Sequence, residues 1–305
     1  MPFSYDLLII GDAVVDLSLN IKNFPVIAGT TNISQDMEIY PGGPAAMAII
    51  ASQLGLKVAF SDRIGTDIMG DYLLKELETA GVNTEHIIRE NGTSTATSVN
   101  IVDSKKNHSF LGYLGAGTML DSIDKKLISD SKSIFFEGYN LVHAGKTYST
   151  ILEAAREANL QKKHVFFDIG PLVSEIEGLD SFIDYSSTIF LNRDEALAYS
   201  KTNLENTLAM LEERGNASYI LKLDREGSIV INNRQTISCN AFKTYRIKNT
   251  IGAGDAFDAG YMAAVLSGYN EEIACMVGNI VASLRVSRGV KSIPALNKII
   301  GKINH

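Results

Sequence analysis

The segment Asn249-Thr250-Ile251-Gly252-Ala253-Gly254-Asp255-Ala256-Phe257 places three small residues and one carboxylate directly before an apolar run that ends at Leu266. Small residues let the backbone approach a ligand closely, and a helix N-terminus offers unpaired N–H groups and a positive dipole end. The segment therefore predicts an anion site at the start of a buried helix. Asp255 could accept the proton of a hydroxyl group that attacks a phosphoryl group held there. The alternative is that Asp255 serves only as a helix N-cap, a role that Asp fills well.

Short apolar runs rich in Ile, Val and Phe alternate with helical patterns through most of the chain. The strand candidates are residues 5–11, 57–61, 133–136, 164–168, 188–191 and 218–223. The helix candidates are residues 44–54, 68–80, 147–159 and 203–214. Near-continuous apolar strands separated by helices predict a mostly parallel sheet covered on both faces, which is an α/β fold. Two shorter strands, 228–231 and 236–238, flank the turn Asn232-Asn233-Arg234 and extend the sheet as a hairpin.

Two stretches break this alternation, because residues 16–21 and 32–40 have strand character with no crossover helix between them. Residues 95–102 and 108–114 likewise flank the turn-rich segment 103–107. These four strands predict a small separate sheet, a lid built from about residues 13–40 and 93–114, on a single domain spanning 1–305. The alternative from the pattern is a plain extension of the main sheet.

Polar residues follow the first predicted strand and the strand that ends at Leu191. Ligands of open α/β sheets lie outside the carboxyl ends of the strands, so Asp12 and Asp16 could accept hydrogen bonds from a diol. The alternative is that Asp12 is a turn residue and Asp16 a surface residue. Asn192 and Glu195 share one helical face and could orient waters around Mg²⁺. Asn followed by Glu three residues later is also the pattern of a capping box, so both interpretations stay open.

Paired glycines in Pro41-Gly42-Gly43-Pro44-Ala45-Ala46-Met47 stand immediately before a predicted helix. Gly42 and Gly43 allow the backbone to approach a ligand or to act as a hinge. The alternative is a loop that merely separates a strand from a helix.

Composition excludes several classes of partner. The 305 residues are 45% hydrophobic and 21% charged, which is typical of a globular protein, and the net charge is −7. An acidic chain argues against nucleic acid and anionic membrane as partners. The two cysteines, Cys239 and Cys275, lack metal spacing and suggest a reducing compartment, and the apolar run 7–10 is too short for a membrane span. A cytoplasmic location is expected.

The order of these motifs resembles that of the ribokinase-like (PfkB) sugar and nucleoside kinases over nearly the whole chain. The motifs that carry the resemblance are Gly11-x4-Asp16, Gly42-Gly43-Pro44-Ala45-Ala46, Gly65-x-Asp67-x2-Gly70, Asn192-x2-Glu195, Lys222-Leu223-Asp224-Arg225-Glu226-Gly227 and Asn249-Thr250-x-Gly252-Ala253-Gly254-Asp255. The resemblance implies a three-layer α/β/α core with a β lid. It also implies transfer of a phosphoryl group from ATP, with Mg²⁺, to a hydroxymethyl group of a small sugar or polyol. A nucleoside kinase and a non-catalytic binding homologue are the alternatives.

By this resemblance, the expected roles of the motif residues are as follows. Asp255 is the general base, and Gly252, Ala253 and Gly254 form the anion hole. Asn192 and Glu195 act around Mg²⁺ and the nucleotide phosphates. The nucleotide is expected to lie along Lys222, Asp224, Gly227 and Asn279. Asp16 is expected to hold hydroxyl groups of the acceptor beneath the lid, and the other candidates to contact the acceptor are Gly42, Gly43, Met47 and Asn140. Asp12 is added from its position after the first strand alone. The lid is expected to form a homodimer interface.

Three departures from the family pattern affect these expectations. Met47 stands where members usually carry a sugar-binding Asn, so this part of the pocket is expected to be less polar and to favour a partly apolar acceptor such as a nucleoside. Asn249 replaces the commoner Asp in a region that lines a monovalent cation site in potassium-dependent members, so activation by K⁺ is doubtful. Lys222 and Asp224 stand where Thr and Gly are frequent.

Overall fold

Two separate β-sheets organise the chain in the computed structural model, which describes residues 3–105, 107–143, 145–215, 217–232, 235–244, 247, 250–289 and 293–303. The strands in chain order are β1 Leu7–Ile10, β2 Val14–Asn20, β3 Met37–Gly42, β4 Val58–Gly65, β5 Asn83–Glu90, β6 Thr97–Val102, β7 His108–Tyr113, β8 Ser133–Glu137, β9 His164–Asp168, β10 Thr188–Asn192, β11 Ser218–Lys222, β12 Ser228–Asn232 and β13 Gln235–Cys239. The larger sheet has nine strands in the order β13-β12-β11-β10-β9-β8-β1-β4-β5.

Every pairing from β5 across to β11 is parallel, and β12 and β13 complete the sheet as an antiparallel hairpin. The mostly parallel sheet and its terminal hairpin are therefore as predicted. Asn233 and Arg234 of the predicted turn lie outside the described residues.

Helices cover both faces of this sheet. They are α1 Gly43–Leu54, α2 Ile68–Thr79, α3 Lys125–Asp130, α4 Lys146–Leu160, α5 Leu179–Tyr185, α6 Arg193–Ser200, α7 Leu204–Arg214, α8 Ala253–Leu266, α9 Glu271–Arg288 and α10 Leu296–Ile303. Alternate residues of each strand face opposite layers, as the two-residue period of a strand requires. Leu7 and Ile9 pack with α1, α8 and α9, whereas Leu8 and Ile10 pack with α4 and α5. Two apolar cores on one sheet give the three-layer α/β/α arrangement.

The predicted small sheet is separate from the main one and has the order β3-β2-β6-β7. Strand β2 is antiparallel to β3 and parallel to β6, and β7 closes the sheet antiparallel to β6. We call these four strands the lid sheet. The first strand pair lies between β1 and α1 in the chain, and the second lies between β5 and α3.

The sequence pattern missed some elements and misplaced one boundary. It did not predict β5, whose mixed sequence NTEHIIRE forms one edge of the main sheet, nor the polar-faced helix α9. Residues 32–36 were expected to belong to a strand, but β3 begins at Met37. Strand propensity is set largely by packing, which is weak in an edge strand and in an exposed segment. Among the described residues, no helix is both long and apolar enough to span a membrane.

Candidate active site

The carboxyl ends of the parallel strands bring a row of polar side chains to one edge of the main sheet. Strand registers place Glu137 of β8 beside Asp168 of β9, and Asn192 of β10 beside Lys222 of β11. Asp12 follows β1, which pairs with β8. This arrangement follows from parallel pairing, because the ends of parallel strands meet at the same edge. Of these residues, only Glu137 and Asp168 were not expected at the site from the sequence.

Helix α8 begins in the way that the opening motif predicts. Gly252 precedes it with φ of 73°, in the left-handed region that a residue without Cβ adopts readily. Gly252 has no side-chain capping hydrogen bond, and Asp255 lies in the first turn of the helix. Asp255 is therefore not the N-cap residue. Ala253 N donates to Thr250 O at 3.3 Å, which leaves the next N–H groups of the first turn, those of Gly254 and Asp255, as candidates to bind an anion.

The surroundings of Asp255 shift its pKa in the direction that suits a general base. Burial raises its pKa above the usual value, and the charge of Asp168 adds to this, whereas Lys222 and Arg285 act in the opposite direction. The side chain is partly accessible to solvent, although protein surrounds most of it. A carboxylate with a raised pKa accepts a proton more readily than a surface Asp.

Asp12 and Asp16 face two consecutive glycines. A Cβ on Gly42 would collide with the Asp16 carboxylate, and a Cβ on Gly43 would come within 3.5 Å of Asp12 Oδ2 and of Glu137 Oε2. Asp16 belongs to lid strand β2, opposite Tyr40 of β3, whereas Asp12 belongs to the core. The glycine pair thus creates the space in which three carboxylates from the lid and the core converge, close to the N-terminus of α1.

Burial dominates the electrostatics of this acceptor pocket. It raises the pKa of Asp12 to about 7, with further contributions from the charges of Asp62 and Asp255. It raises the pKa of Asp16 to about 7 as well, again with a contribution from Asp255. Burial and the neighbouring Asp12 raise the pKa of Glu137 well above its usual value. Asp12 and Asp16 are therefore poised to exchange protons or to bind hydroxyl groups near neutral pH, and Glu137 favours its protonated form more than an exposed Glu does.

Two buried polar atoms in this pocket have no hydrogen-bond partner among the described residues: Glu137 Oε2 and Asn140 Nδ2. Asn140 lies against Gly11, where a Cβ would come within 2.6 Å of Nδ2. Buried polar atoms are nearly always satisfied, so an acceptor and a donor left without partners indicate the binding of a polar ligand. Asn140 was proposed from the sequence as a contact of the acceptor, and Glu137 was not.

Met47 lies elsewhere than the sequence comparison suggested. Its side chain has no exposed surface and belongs to the hydrophobic core that α1 shares with α8. The apolar periodicity of α1 explains this position, since Met fills irregular core space well. In this structure the side chain of Met47 lies in the core. The presence of Met in place of Asn at this position therefore gives little information about which acceptor binds.

Lys222 lies at the centre of a buried ionic cluster. Its Nζ donates to Asp168 Oδ2 at 2.6 Å and to Asp258 Oδ2 at 3.0 Å, and it would be 3.5 Å from a Cβ on Gly254. Burial raises the pKa of Asp258 well above the usual value, whereas Lys222 lowers that of Asp168 despite burial. Asp258 therefore favours its protonated form more than an exposed Asp does, whereas Asp168 favours its ionised form beside Lys222. The sequence analysis expected Lys222 to lie along the nucleotide. In the structure it lies beneath the start of α8.

Asn192 and Glu195 form a complete capping box at the start of α6. Asn192 Oδ1 accepts from Glu195 N at 3.0 Å, and Glu195 Oε2 accepts from Asn192 N at 2.6 Å. Burial raises the pKa of Glu195 to about 7. The capping interpretation is thus confirmed, and it does not exclude the other, since a carboxylate oxygen accepts more than one hydrogen bond.

Among the described residues no group of three or more His, Cys, Asp or Glu side chains could hold a metal ion by itself. The donor set of Asn192 and Glu195 fits Mg²⁺ only through water molecules and substrate phosphates. This is a common mode for Mg²⁺, which dehydrates reluctantly.

The remaining residues expected along the nucleotide lie at the outer end of the sheet. Asp224 is exposed with φ of 50°, and Gly227 has φ of 99° in the turn before β12. Asn279 Nδ2 donates to Ser228 Oγ at 3.0 Å and so ties α9 to β12. Asn249 lies outside the described residues, so the predicted monovalent cation region is not described.

Four chemically important residues were not proposed from the sequence as site residues: Glu137, Asp168, Asp258 and Arg285. Glu137 and Asp168 end strands at the site edge, so their strand-end positions were a usable signal. Asp258 comes one helical turn after Gly254, and an Asp inside an apolar helix is itself unusual. Arg285 comes near the site only because α9 packs on α8, a contact that no local pattern reveals.

An α/β/α core with a small second sheet, and a carboxylate in the first turn of a helix at the site edge, are features of the small-molecule kinases that phosphorylate alcohols. The sequence pattern described as "pfkB family carbohydrate kinase" matches residues 5–296. The chain therefore belongs to the pfkB family of carbohydrate kinases, which includes both sugar and nucleoside kinases.

Relatives with different acceptors resemble the chain to a similar degree. It is 26% identical to an ATP-dependent 6-phosphofructokinase of Thermoanaerobacterium thermosaccharolyticum, over 97% of this chain and 92% of that protein. It is also 26% identical to a nucleoside kinase of Methanothermobacter thermautotrophicus, over 92% and 89% of the two chains. The structure of a ribokinase from Thermotoga maritima aligns with a TM-score of 0.83 at 24% identity, covering 99% of this chain and 100% of the other. This likeness shows the shared fold.

Proposed function

We propose that the protein transfers the γ-phosphoryl group of ATP to a hydroxymethyl group of a small sugar or polyol. One observation carries this proposal: Asp255, with its raised pKa, lies in the first turn of α8 and within electrostatic reach of Asp12, Asp16 and Glu137. A base, an anion-binding helix start and hydroxyl-binding carboxylates are the parts that this reaction needs.

The chemistry follows from these positions. Asp255 takes the proton of the acceptor hydroxyl as its oxygen attacks the γ-phosphorus. The bond between that phosphorus and the β,γ-bridging oxygen breaks, and ADP leaves with the electron pair. The N–H groups at the start of α8 hold the transferred group, and Lys222 adds positive charge beneath it. Such positioning and charge stabilisation supply most of the catalysis in phosphoryl transfer.

Carboxylates and an open amide in the acceptor pocket favour a ligand rich in hydroxyl groups. Asp12, Asp16 and Glu137 accept from hydroxyls, and Asn140 Nδ2 can donate to an oxygen. A nucleoside is the second candidate, favoured by the resemblance to a nucleoside kinase. Since Met47 lies in the core, the polar groups support a sugar or polyol more strongly.

An acceptor screen tests this proposal. Release of ADP is measured with Mg²⁺–ATP and a panel of pentoses, hexoses, polyols, sugar phosphates and nucleosides, and each compound is also tested for an increase in melting temperature. We expect turnover with an uncharged sugar or polyol. ATP binding without phosphorylation of any alcohol would refute the kinase proposal, and a nucleoside with kcat/KM tenfold above every sugar would select the second candidate.

ATP and Mg²⁺ are part of the proposal because the family uses a nucleotide and the donor set of Asn192 and Glu195 suits a water-mediated magnesium. Mg²⁺ would neutralise phosphate charge during the transfer. The acidic chain supports neither nucleic acid nor membrane as a partner, and reduced cysteines fit a cytoplasmic enzyme.

The lid sheet supports a proposal that the enzyme is a homodimer. All six residues of edge strand β7 are exposed, including Phe110 at 46% and Leu111 at 62%, and β3 exposes Met37 at the opposite edge. Exposed apolar edges of this kind are usually covered by another strand or chain. Sedimentation is expected to show a dimer that Leu111→Lys converts to a monomer. A wild-type monomer at micromolar concentration would contradict the proposal.

A further inference from the structure

Arg285 is a buried cation that lacks an ion-pair partner within the described part of the chain. Its residue is 5% exposed, it forms no ion pair with a described carboxylate, and its Nε has no hydrogen-bond partner there. A guanidinium group has five N–H donors and cannot lose its proton in a protein. Burying such a group without acceptors is costly, so its position needs an explanation.

The guanidinium group lies at the start of α8. A Cβ on Gly252 would be 3.3 Å from Arg285 Nη2 and 3.5 Å from Asp255 Oδ2. The absence of a side chain at Gly252 therefore leaves a space bounded by the cation, the proposed base and the first N–H groups of the helix. On its other side, Arg285 Cζ lies 5.7 Å from the centre of the Tyr40 ring, which belongs to lid strand β3.

We propose that Arg285 binds the phosphoryl group in transit and stabilises the charge that develops during transfer. This inference rests on the proposed kinase function and adds a catalytic residue to it. The planar fork of the guanidinium group suits two phosphoryl oxygens at once. The helix start supplies N–H donors to the same group, and Asp255 on the same side of Gly252 receives the acceptor proton.

An anionic group on the acceptor is the competing occupant of this space. The acceptor pocket disfavours it, because Asp12, Asp16 and Glu137 already place three buried carboxyl groups there. The guanidinium group lies against Gly252 at the start of α8, whereas carboxylate oxygens lie against the paired glycines. The phosphoryl group of the nucleotide is therefore the better match.

Four variants test the role of Arg285: Arg285→Lys, Arg285→Ala, Arg285→Met and, as a matched control, Arg288→Ala. Arg288 lies three residues later on α9 and is exposed. We expect Arg285→Ala and Arg285→Met to lower kcat by about 10³-fold, the lower end of what an arginine contributes to phosphoryl transfer. Arg285→Lys keeps the positive charge but not the planar guanidinium group, so its kcat is expected to fall less. The control is expected to retain kcat.

Two further measurements separate catalysis from a structural role. Arg285→Ala is expected to weaken binding of Mg²⁺–ADP with aluminium fluoride, a mimic of the transferred group, while binding of Mg²⁺–ADP alone is unchanged. Guanidinium ion added to Arg285→Ala is expected to restore part of the lost rate. If Arg285→Ala does not fold, binding of Mg²⁺–ADP with and without aluminium fluoride is measured with Arg285→Lys instead.

Several outcomes would overturn the inference. One is a kcat of Arg285→Ala within threefold of the wild type. Another is equal loss of both nucleotide complexes, which indicates a structural role. A third is a raised KM for the acceptor at unchanged kcat, which assigns Arg285 to an anionic acceptor. All of these require an active wild-type enzyme, whereas a wild type without turnover refutes the kinase proposal itself.

Discussion

The carboxyl groups buried at the edge of the main sheet form two clusters that differ in one respect. In the first, Asp168 and Asp258 surround Lys222, and each accepts a hydrogen bond from its Nζ. In the second, Asp12, Asp16 and Glu137 converge on the paired glycines without forming an ion pair with any described cation. The carboxyl groups of the first cluster are paired with Lys222, whereas the second cluster keeps an unpartnered oxygen, Glu137 Oε2.

The first cluster therefore finds its partners within the folded protein, whereas the second cluster has groups that a ligand can pair with. A buried charge that is paired and hydrogen-bonded is tolerated by the fold, whereas unpaired carboxyl groups are protonated or bound to a ligand. Asp255 is coupled to both clusters. Lys222 of the first cluster lowers the pKa of Asp255, whereas burial and Asp168 raise it. The charge of Asp255 in turn raises the pKa of Asp12 and of Asp16 in the second cluster. It lies where the two clusters meet.

Removing the carboxylate between the two clusters is expected to have the largest effect. Asp255→Asn keeps the shape of the side chain but cannot take the acceptor proton, so kcat is expected to fall by about 10²–10⁴-fold. The KM for ATP is expected to stay within a few-fold of the wild type. Asp194→Asn, an exposed Asp in the first turn of α6, is the control. A kcat of Asp255→Asn within threefold of the wild type would show that Asp255 is not the base.

Breaking the paired cluster is expected to destabilise the fold. Lys222→Met leaves the charge of Asp168 buried without a cation, and the free energy of unfolding is expected to fall by about 3–5 kcal/mol. Adding Asp168→Asn to that variant removes the stranded charge and should recover much of the loss. Denaturant unfolding measures both effects.

Arg193→Met is the control for this prediction, because Arg193 forms an exposed ion pair with Glu226 at 2.7 Å. Such pairs contribute about 0–1 kcal/mol. Equal losses for Lys222→Met and Arg193→Met would contradict the distinction between the two kinds of pair.

The unpaired carboxyl groups are expected to make the ligand-free protein more stable when it is mildly acidified. Burial raises the pKa of Asp12, Asp16, Asp62 and Glu195 to about 7, so between about pH 4 and 7 the folded state binds more protons than the unfolded state. Their stabilising contribution is complete below pH 4 and is lost as the pH rises through 7. His164, whose pKa burial lowers to about 4, opposes this trend with one proton.

Melting temperatures measured between pH 5 and 8 check this sign. They are expected to fall as the pH rises to about 7 and then to level off. Each proton contributes at most about 1.4 kcal/mol per pH unit. Asp62→Asn removes one of these titrating groups and its charge beside Asp12, so it should make the slope shallower. A melting temperature that rises steadily from pH 5 to 7 would mean that these groups are ionised in the folded protein.

The smallest expected effect concerns the magnesium dependence. Glu195→Gln keeps an oxygen for the capping box but loses the charge, so the Mg²⁺ concentration for half-maximal rate is expected to rise by about 10-fold or more. Asn203→Ala removes the cap of α7 and serves as the control. If Glu195→Gln and the control leave the Mg²⁺ dependence equally unchanged, the capping box is the whole role of Glu195.

The sequence predicted the two sheets and the start of α8 because these features depend on local patterns. Apolar strand runs, turn residues and a Gly-Ala-Gly-Asp segment each act within a few residues. The paired cluster was not predicted, since it joins Asp168, Lys222 and Asp258 from two strands and a helix that are neighbours only after folding. Met47 shows the converse, because a motif position suggested a pocket residue where the packing of α1 gives a core residue.

The carboxyl groups of the acceptor pocket also carry protons that ligand binding can release. Asp12 and Asp16 are about half protonated near pH 7, and hydroxyl groups that donate to them favour the ionised forms. An acceptor that binds there is therefore expected to release protons into the medium. The heat of acceptor binding then depends on the ionisation enthalpy of the buffer, and titrations in phosphate and in Tris report how many protons leave with each acceptor molecule bound.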